Sequence, residues 1–276
     1  MNTTLTQSAN RGDNVICLHS SMSSSRQWEE LVQRLQHTYK VITPDLLGYG
    51  NAAQWAAGVA PSLDREVELL ADLVNELDGP IHLVGHSYGG AVAIKAAQIF
   101  GERVTSLTLY EPVVFAALFG SEDNAEACLE IIRMVEEIQA DYRSGDLFNA
   151  AKRFIDYWSG TGVWEAMPVQ KQFQLSAQVP TVLANFKAVT AEPNALSKLA
   201  SLKVPTLYLS GQESPATSHA ITAMMKFEMP HTVRLRFNGM GHMGPVTHGD
   251  IVNARIESFI TVRSAAQHKK DYAWAA

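Results

Sequence analysis

The sequence has only two cysteines in 276 residues. Cys17 and Cys128 lie far apart, in segments whose residue patterns predict a buried strand and a helix. Domains stabilised by disulfides and zinc-binding modules both need several cysteines at short spacings. We therefore expect two free thiols, no disulfide framework and no metal site.

Clusters of basic residues and long hydrophobic runs are also absent. There are 22 lysines and arginines against 28 aspartates and glutamates, a formal net charge of −6, and nucleic acid binding needs a clustered positive surface. Residues 1–14 lack the apolar core of a secretory signal, and no later run is long enough to span a bilayer. We expect a cytoplasmic protein with no nucleic acid partner and no membrane span. A homo-oligomer remains open.

Short apolar runs alternate with helical patterns along most of the chain, which predicts an α/β fold with a mostly parallel sheet. The 46% of hydrophobic residues is enough for one large core. The predicted strands are 15–18, 39–43, 81–84, 104–110, 204–209 and 232–237. The predicted helices are about 26–37, 63–77, 91–100, 216–227 and 251–262.

Residues 113–199 interrupt this alternation with an almost wholly helical pattern. We interpret this segment as a helical cap insertion in an α/β core formed by residues 1–112 and 200–276. The tail, residues 264–276, has no strong period, and we expect it to be disordered or a short docked helix.

Residues 85–90, Gly-His-Ser-Tyr-Gly-Gly, lie between a predicted buried strand and a predicted helix. In this context the Gly-x-Ser-x-Gly pattern indicates a sharp turn that presents a nucleophilic serine, here Ser87. Glycines are needed on either side because side chains there would clash with the strand and helix. The Tyr88 amide could then donate to an oxyanion. The alternative is an ordinary turn.

A nucleophilic serine needs an imidazole base, which a carboxylate orients. His242 lies in a glycine-rich loop after the last predicted strand, where a flexible backbone can aim the ring across the strand ends. His248 is the alternative base. The carboxylate should follow a strand between Ser87 and His242 in chain order. Glu111, fixed by the rigid Pro112, is favoured over Glu213, although either could be a loop carboxylate that faces solvent.

Four segments, in this order and spacing, resemble the α/β-hydrolase superfamily along essentially the whole chain. They are Leu18-His19-Ser20-Ser21, Pro44-Asp45-Leu46-Leu47-Gly48-Tyr49-Gly50, Gly85-His86-Ser87-Tyr88-Gly89-Gly90 and Gly241-His242-Met243-Gly244-Pro245. The resemblance implies that Ser87 is the nucleophile, that His242 is the base, and that the amides of Ser21 and Tyr88 form the oxyanion hole. It also implies abbreviated N-terminal strands, because the chain begins close to the third strand of the family.

The sequence departs from the family pattern at two places. The family commonly has His-Gly where this chain has His19-Ser20, and its usual acid lies in a Gly-x-x-Asp turn, where this chain has Ser214. Some haloalkane dehalogenases carry a glutamate after the preceding strand, at a place similar to Glu111. Those enzymes use an aspartate nucleophile, so Ser87 argues against dehalogenation here.

The predicted function is hydrolysis of a small or medium ester, thioester, lactone or amide through an acyl-enzyme on a Ser-His-acid triad. The alternatives are a carbon–carbon bond hydrolase, perhydrolase or lyase reaction on the same triad, or a ligand-binding homologue with slow turnover. Trp158 and Trp164 in the cap either line the substrate pocket or only pack the helices together. No phosphate loop or metal motif is present, so we expect no cofactor.

Overall fold

The computed structural model describes residues 4–5, 12–120 and 124–275. Its sheet has the order β1-β3-β2-β4-β5-β6-β7, in which β1 is antiparallel to β3 and all other neighbours are parallel. The predicted mostly parallel sheet is confirmed, and the described strand before β2 is only two residues long. The strands are β1 Thr4–Leu5, β2 Asn14–Leu18, β3 Lys40–Thr43, β4 Ile81–His86, β5 Val104–Tyr110, β6 Thr206–Gly211 and β7 Val233–Phe237.

Helices cover both faces of this sheet, as crossovers between parallel strands require. Alternate residues of β2 point to opposite faces: Val15 and Cys17 pack with α1 and α13, whereas Ile16 and Leu18 pack in the larger core that includes α2 and α3. The helices are α1 Glu29–Leu35, α2 Leu63–Asn75, α3 Tyr88–Phe100, α4 Phe115–Phe119, α5 Ala125–Ser144, α6 Leu147–Ser159, α7 Val163–Ala166, α8 Val169–Ser176, α9 Val179–Thr190, α10 Ala195–Ser201, α11 Ala216–Glu228, α12 Gly244–Thr247 and α13 Gly249–Ala275.

Helices α4 to α10 lie between β5 and β6 in chain order. Two contacts place them over the carboxyl ends of the strands. The ring of Trp158 in α6 lies 4.2 Å from the ring of His242, and the side chain of Asn185 in α9 accepts a hydrogen bond from Ser21, just after β2. Helices α4 to α10 therefore cover this edge of the sheet.

The predicted end of the last helix was wrong, and the tail is helical, which was one of the two expected alternatives. The last helix continues from Gly249 to Ala275 instead of ending near residue 262. Polar contacts hold its second half, because buried Ser264 donates a hydrogen bond to Asp13 Oδ2 and His268 Nε2 lies 3.2 Å from the same oxygen. A helix held by polar contacts has no apolar period for the sequence to show.

Candidate active site

Ser87 lies at the turn between β4 and α3, with φ 56° and ψ −117°. L-residues seldom adopt this conformation, and two glycines allow the tight turn around it. A Cβ at Gly85 would lie 2.4 Å from the Gly89 carbonyl oxygen, and one at Gly89 would lie 2.3 Å from the Leu18 carbonyl oxygen. The Ser87 amide donates to the Tyr110 carbonyl at 3.0 Å. The serine is thus fixed at the amino end of α3, where its hydroxyl faces the insertion.

His242 lies in the loop after β7, with its side chain almost fully buried. Its Nε2 is 2.9 Å from Ser87 Oγ, and its Nδ1 is 2.8 Å from Glu111 Oε2. A carboxylate can only accept, so Nδ1 carries the proton and Nε2 is free to accept from the serine hydroxyl. His248, the alternative base, instead makes a hydrogen bond between its Nδ1 and Thr247 Oγ1.

Glu111 follows β5 and has a positive φ of 41°. Its Oε1 accepts hydrogen bonds from the Gly211 amide at 2.8 Å and from Ser214 Oγ at 2.7 Å. Burial alone would raise the pKa of this carboxyl group, but the contacts with His242, Ser214 and Gly211 outweigh burial and lower it. Glu111 is therefore ionised at neutral pH, and its hydrogen bonds with His242, Ser214 and Gly211 support the charged form.

Glu213, the alternative acid, is exposed, and its backbone amide donates to the Met240 carbonyl at 2.9 Å. The structure does not bring its carboxylate to His242. Ser214, which stands where the family pattern has an aspartate, binds the Glu111 carboxylate instead. Glu111, which follows β5, therefore supplies the carboxylate, and Ser214, in the turn after β6, supplies a hydroxyl that binds it.

His86 supports His242 through a contact with its backbone. Its Nδ1 accepts from Gln27 Nε2 at 3.1 Å, and its Nε2 donates to the backbone carbonyl of His242 at 2.8 Å. Burial, followed by the neighbouring His242, lowers the pKa of His86 well below its usual value, so it stays neutral and keeps both hydrogen bonds. Tyr110 adds a hydrogen bond from its hydroxyl to the Gly241 carbonyl at 2.8 Å. Gln27 and Tyr110 could not be found from the sequence, since no local pattern links residues so far apart in the chain.

Ser21 and Tyr88, the expected oxyanion-hole residues, line the same pocket as Ser87. The unusual Ser20 beside them is accommodated, because its amide and its hydroxyl both donate to Gln27 Oε1 at 3.0 Å. The departure from His-Gly therefore adds a side-chain contact that holds this loop.

A pocket lies next to Ser87 and opens partly to solvent. Trp158 lines it and lies over the His242 ring, with 4.2 Å between ring centroids. Trp164 does not line it and packs edge-on against Phe148 at 5.9 Å. Apart from its polar residues, the pocket wall is formed by aliphatic and aromatic side chains. The lining residues are Ser21, Ser87, Tyr88, Val113, Phe115, Phe154, Trp158, Val182, Asn185, Phe186 and Val189.

Metal-binding groups and membrane-spanning helices were sought in the parts of the chain that the structure describes. Within them, no group of three or more histidine, cysteine, aspartate or glutamate side chains is arranged to hold a metal ion. None of the helices described combines the length and the apolar character needed to cross a bilayer.

The fold and the site geometry are those of an α/β hydrolase with serine, histidine and glutamate side chains in contact. The alpha/beta hydrolase family model matches residues 15–255, so the chain belongs to this family. The predicted superfamily is thereby confirmed, as is the prediction of a hydrolase enzyme at the level of the family.

The chain is similar to several named hydrolases. It is 34% identical to lipase LipV of Mycobacterium tuberculosis over 151 residues, which are 54% of this chain and 51% of LipV; that match spans only about half of the relative's length. It is 24% identical to a pimeloyl-[acyl-carrier protein] methyl ester esterase of Aliivibrio salmonicida, over 92% of this chain and 94% of that protein. The structure of MenH from S. aureus superposes with a TM-score of 0.75 at 22% identity, covering 95% of this chain and 99% of that one.

Proposed function

We propose that this protein is a serine esterase in which Ser87 is the nucleophile, His242 the base and Glu111 the acid. The observation that carries the proposal is the hydrogen-bonded series from Glu111 Oε2 through His242 to Ser87 Oγ, with distances of 2.8 and 2.9 Å, which ends at an apolar pocket. Acyl transfer through serine needs these three groups in this order.

In the proposed mechanism, Ser87 Oγ attacks the ester carbonyl while His242 Nε2 accepts the hydroxyl proton. Glu111 stabilises the imidazolium, and the backbone amides of Ser21 and Tyr88 donate to the oxyanion. His242 then gives the proton to the departing alcohol, which leaves an acyl group on Ser87. A water molecule, deprotonated by His242, releases the acid and restores the serine.

We propose that the acyl group lies in the pocket next to Ser87, under the cap of residues 113–199. Its wall of aliphatic and aromatic side chains favours an apolar acyl chain. The names of LipV and of the pimeloyl ester esterase support an ester as the bond that is cleaved.

The test uses p-nitrophenyl butyrate together with a fluorophosphonate, which reacts with activated serines. We expect the parent protein to hydrolyse the ester and to bind one phosphonyl group at Ser87, as located by mass spectrometry. Ser87→Ala should do neither, whereas the buried control Ser106→Ala should do both. Hydrolysis at the parent rate by folded Ser87→Ala, or an inert parent protein, would refute the proposal.

A further inference from the structure

Asn185 of α9 brings a polar side chain into the pocket that Ser87 lines, although the residue is only 3% exposed. Its Oδ1 accepts a hydrogen bond from Ser21 Oγ at 2.9 Å and another from the Tyr49 hydroxyl at 2.5 Å. An amide oxygen has two lone pairs, so both acceptor positions of Asn185 are in use.

The contacts of Tyr49 fix which end of the amide is the oxygen. The Tyr49 oxygen lies close to the Met22 backbone amide and to Ser21, both of which act to lower its pKa against the larger effect of burial, which raises it. Tyr49 is therefore protonated, and its one hydrogen is donated to Asn185 Oδ1. This leaves Nδ2 as the other end of the amide.

Asn185 Nδ2 is buried and has no hydrogen-bond partner among the residues that the structure describes. An unpaired buried donor destabilises a fold, so such groups need an explanation. Burial, followed by Glu66, raises the pKa of the Tyr88 phenol well above its usual value. The Asn185 amide lies near the Tyr88 oxygen and partly opposes this rise. The Tyr88 hydroxyl itself donates to Glu66 Oε1 at 3.0 Å.

The other polar side chains of the pocket already have partners. Ser21 Oγ donates to Asn185, Ser87 Oγ contacts His242, and the Tyr88 hydroxyl is bound to Glu66. A ligand in this pocket therefore faces apolar walls and the side chain of Asn185, whose buried Nδ2 has unused hydrogen-bonding capacity.

We propose that Asn185 Nδ2 recognises an oxygen atom in the acyl group of the substrate, and that this oxygen is a neutral ketone, ether or ester oxygen. A second carboxylate is disfavoured, because it would lose its hydration in an apolar pocket beside the buried Glu66. The inference rests on the proposed esterase function and adds a substrate class to it: acyl groups that carry a neutral oxygen acceptor close to the scissile carbonyl.

The test compares ester pairs that differ by one oxygen in place of one methylene group. The pairs are p-nitrophenyl methoxyacetate with butyrate, and p-nitrophenyl 3-methoxypropanoate with pentanoate. In the parent protein, the ratio of kcat/KM for ether over alkyl ester should exceed the ratio of their alkaline hydrolysis rates in at least one pair. Asn185→Leu should lower that ratio about tenfold, the effect of one hydrogen bond to a buried donor.

The matched control is Val182→Ala, which changes the same helix and the same pocket wall without removing a donor. Its ratio should stay within twofold of the parent ratio. If Asn185 only held Ser21 and Tyr49 in place, Asn185→Leu would slow both esters of a pair equally, and an unchanged ratio would overturn the inference. If Asn185→Leu does not fold, the comparison of the parent protein with alkaline hydrolysis still decides.

Two other results would also contradict the inference. A preference for p-nitrophenyl glycolate without one for either ether ester would mean that Oδ1, an acceptor, faces the pocket. A parent protein that cleaves none of these esters would remove the proposed function itself. If the parent protein instead cleaves all these esters with ratios that follow alkaline hydrolysis, only the role of Asn185 is removed and the esterase function stands.

Discussion

Buried acid, histidine and serine side chains meet at both ends of the central sheet. At the carboxyl end, Glu111, His242 and Ser87 are joined by contacts of 2.8 and 2.9 Å. At the amino end, Asp13 Oδ2 lies 3.7 Å from His82 Nε2, and His82 Nδ1 lies 2.8 Å from Ser106 Oγ. In both clusters the histidine lies between a carboxylate and a serine, but the 3.7 Å between His82 and Asp13 is too long for a hydrogen bond.

The surroundings of the two serines differ more than their partners do. Ser106 is a residue of β5 and is completely inaccessible, whereas Ser87 lies on a strained turn with a positive φ and lines a pocket. Asp13 also binds Ser264 and His268 of α13, so its charge holds the last helix to the sheet. An acid, a histidine and a serine near one another can act as a reaction centre only where a substrate can reach the hydroxyl and amides can receive the oxyanion.

Replacing each cluster's histidine by alanine should give the largest difference in turnover between the two clusters. His242→Ala should lower the turnover of p-nitrophenyl butyrate by roughly four to six orders of magnitude, because members of a triad act as a unit. His82→Ala should keep turnover within a few fold while the chain remains folded, and should lose about 2 to 4 kcal/mol of unfolding free energy through its cavity and the lost partner of Ser106.

Steady-state kinetics on folded fractions, checked by circular dichroism, measures both effects. His248→Ala serves as a further control, with turnover close to that of the parent. If His248→Ala or His82→Ala lost activity while His242→Ala retained it, the base would have to be reassigned.

Two buried carboxyl groups outside the proposed triad should respond to pH in opposite directions. Burial raises the pKa of Glu66 to about 7 from its ordinary 4.5, because only the Leu47 amide and the Tyr88 hydroxyl oppose it. The folded chain then keeps a proton that the unfolded chain releases between pH 4.5 and 7, so stability falls as pH rises through this window. For Asp13, the neighbouring His82, the hydrogen bond from Ser264 and the nearby His268 together outweigh burial and lower the pKa. Its contribution is present above its ordinary value of 3.8 and is lost as pH falls further.

Glu66→Gln should therefore flatten the fall in stability between pH 5 and 8, by up to about 3 kcal/mol. Asp13→Asn should leave that window unchanged and alter only the acid side. Urea unfolding at a series of pH values measures both slopes. A Glu66→Gln variant that loses stability with pH as steeply as the parent would show that Glu66 is not the source of the dependence.

The two cap tryptophans give a smaller and more selective contrast. Trp158→Ala should enlarge the pocket and shift relative kcat/KM toward longer acyl chains by about tenfold, the scale of one to two methylene groups. Trp164→Ala should alter all acyl lengths alike, because its ring packs against Phe148 away from Ser87. A series of p-nitrophenyl esters from acetate to octanoate measures this. Equal, length-independent losses in both variants, in step with melting temperature, would assign Trp158 to packing alone.

The parts of this molecule that a sequence can reveal are those with local patterns. The parallel sheet follows from alternating apolar runs, and Ser87 and His242 stand in glycine-rich segments next to strand ends. Glu111 was harder, because a strand end before a proline is a weak signal, and its support from Ser214 joins residues 103 positions apart. The contact of His86 with the backbone of His242, the contacts of Asn185 and the polar attachment of α13 leave no periodic trace. These contacts arise only when distant segments pack together.

We propose that Glu111, at the carboxyl end of the sheet, takes part in catalysis, whereas Asp13, at the amino end, stabilises the fold. The most direct test measures kcat and melting temperature for Glu111→Gln, Asp13→Asn and Glu213→Gln in one assay. We expect Glu111→Gln to lose roughly three to four orders of magnitude in kcat, because the imidazole loses the partner that fixes its tautomer. Asp13→Asn should keep kcat within about threefold and melt several degrees lower, the scale of about 1 kcal/mol or more, and Glu213→Gln should match the parent in both. The claim is contradicted if Glu213→Gln or Asp13→Asn loses turnover while Glu111→Gln retains it.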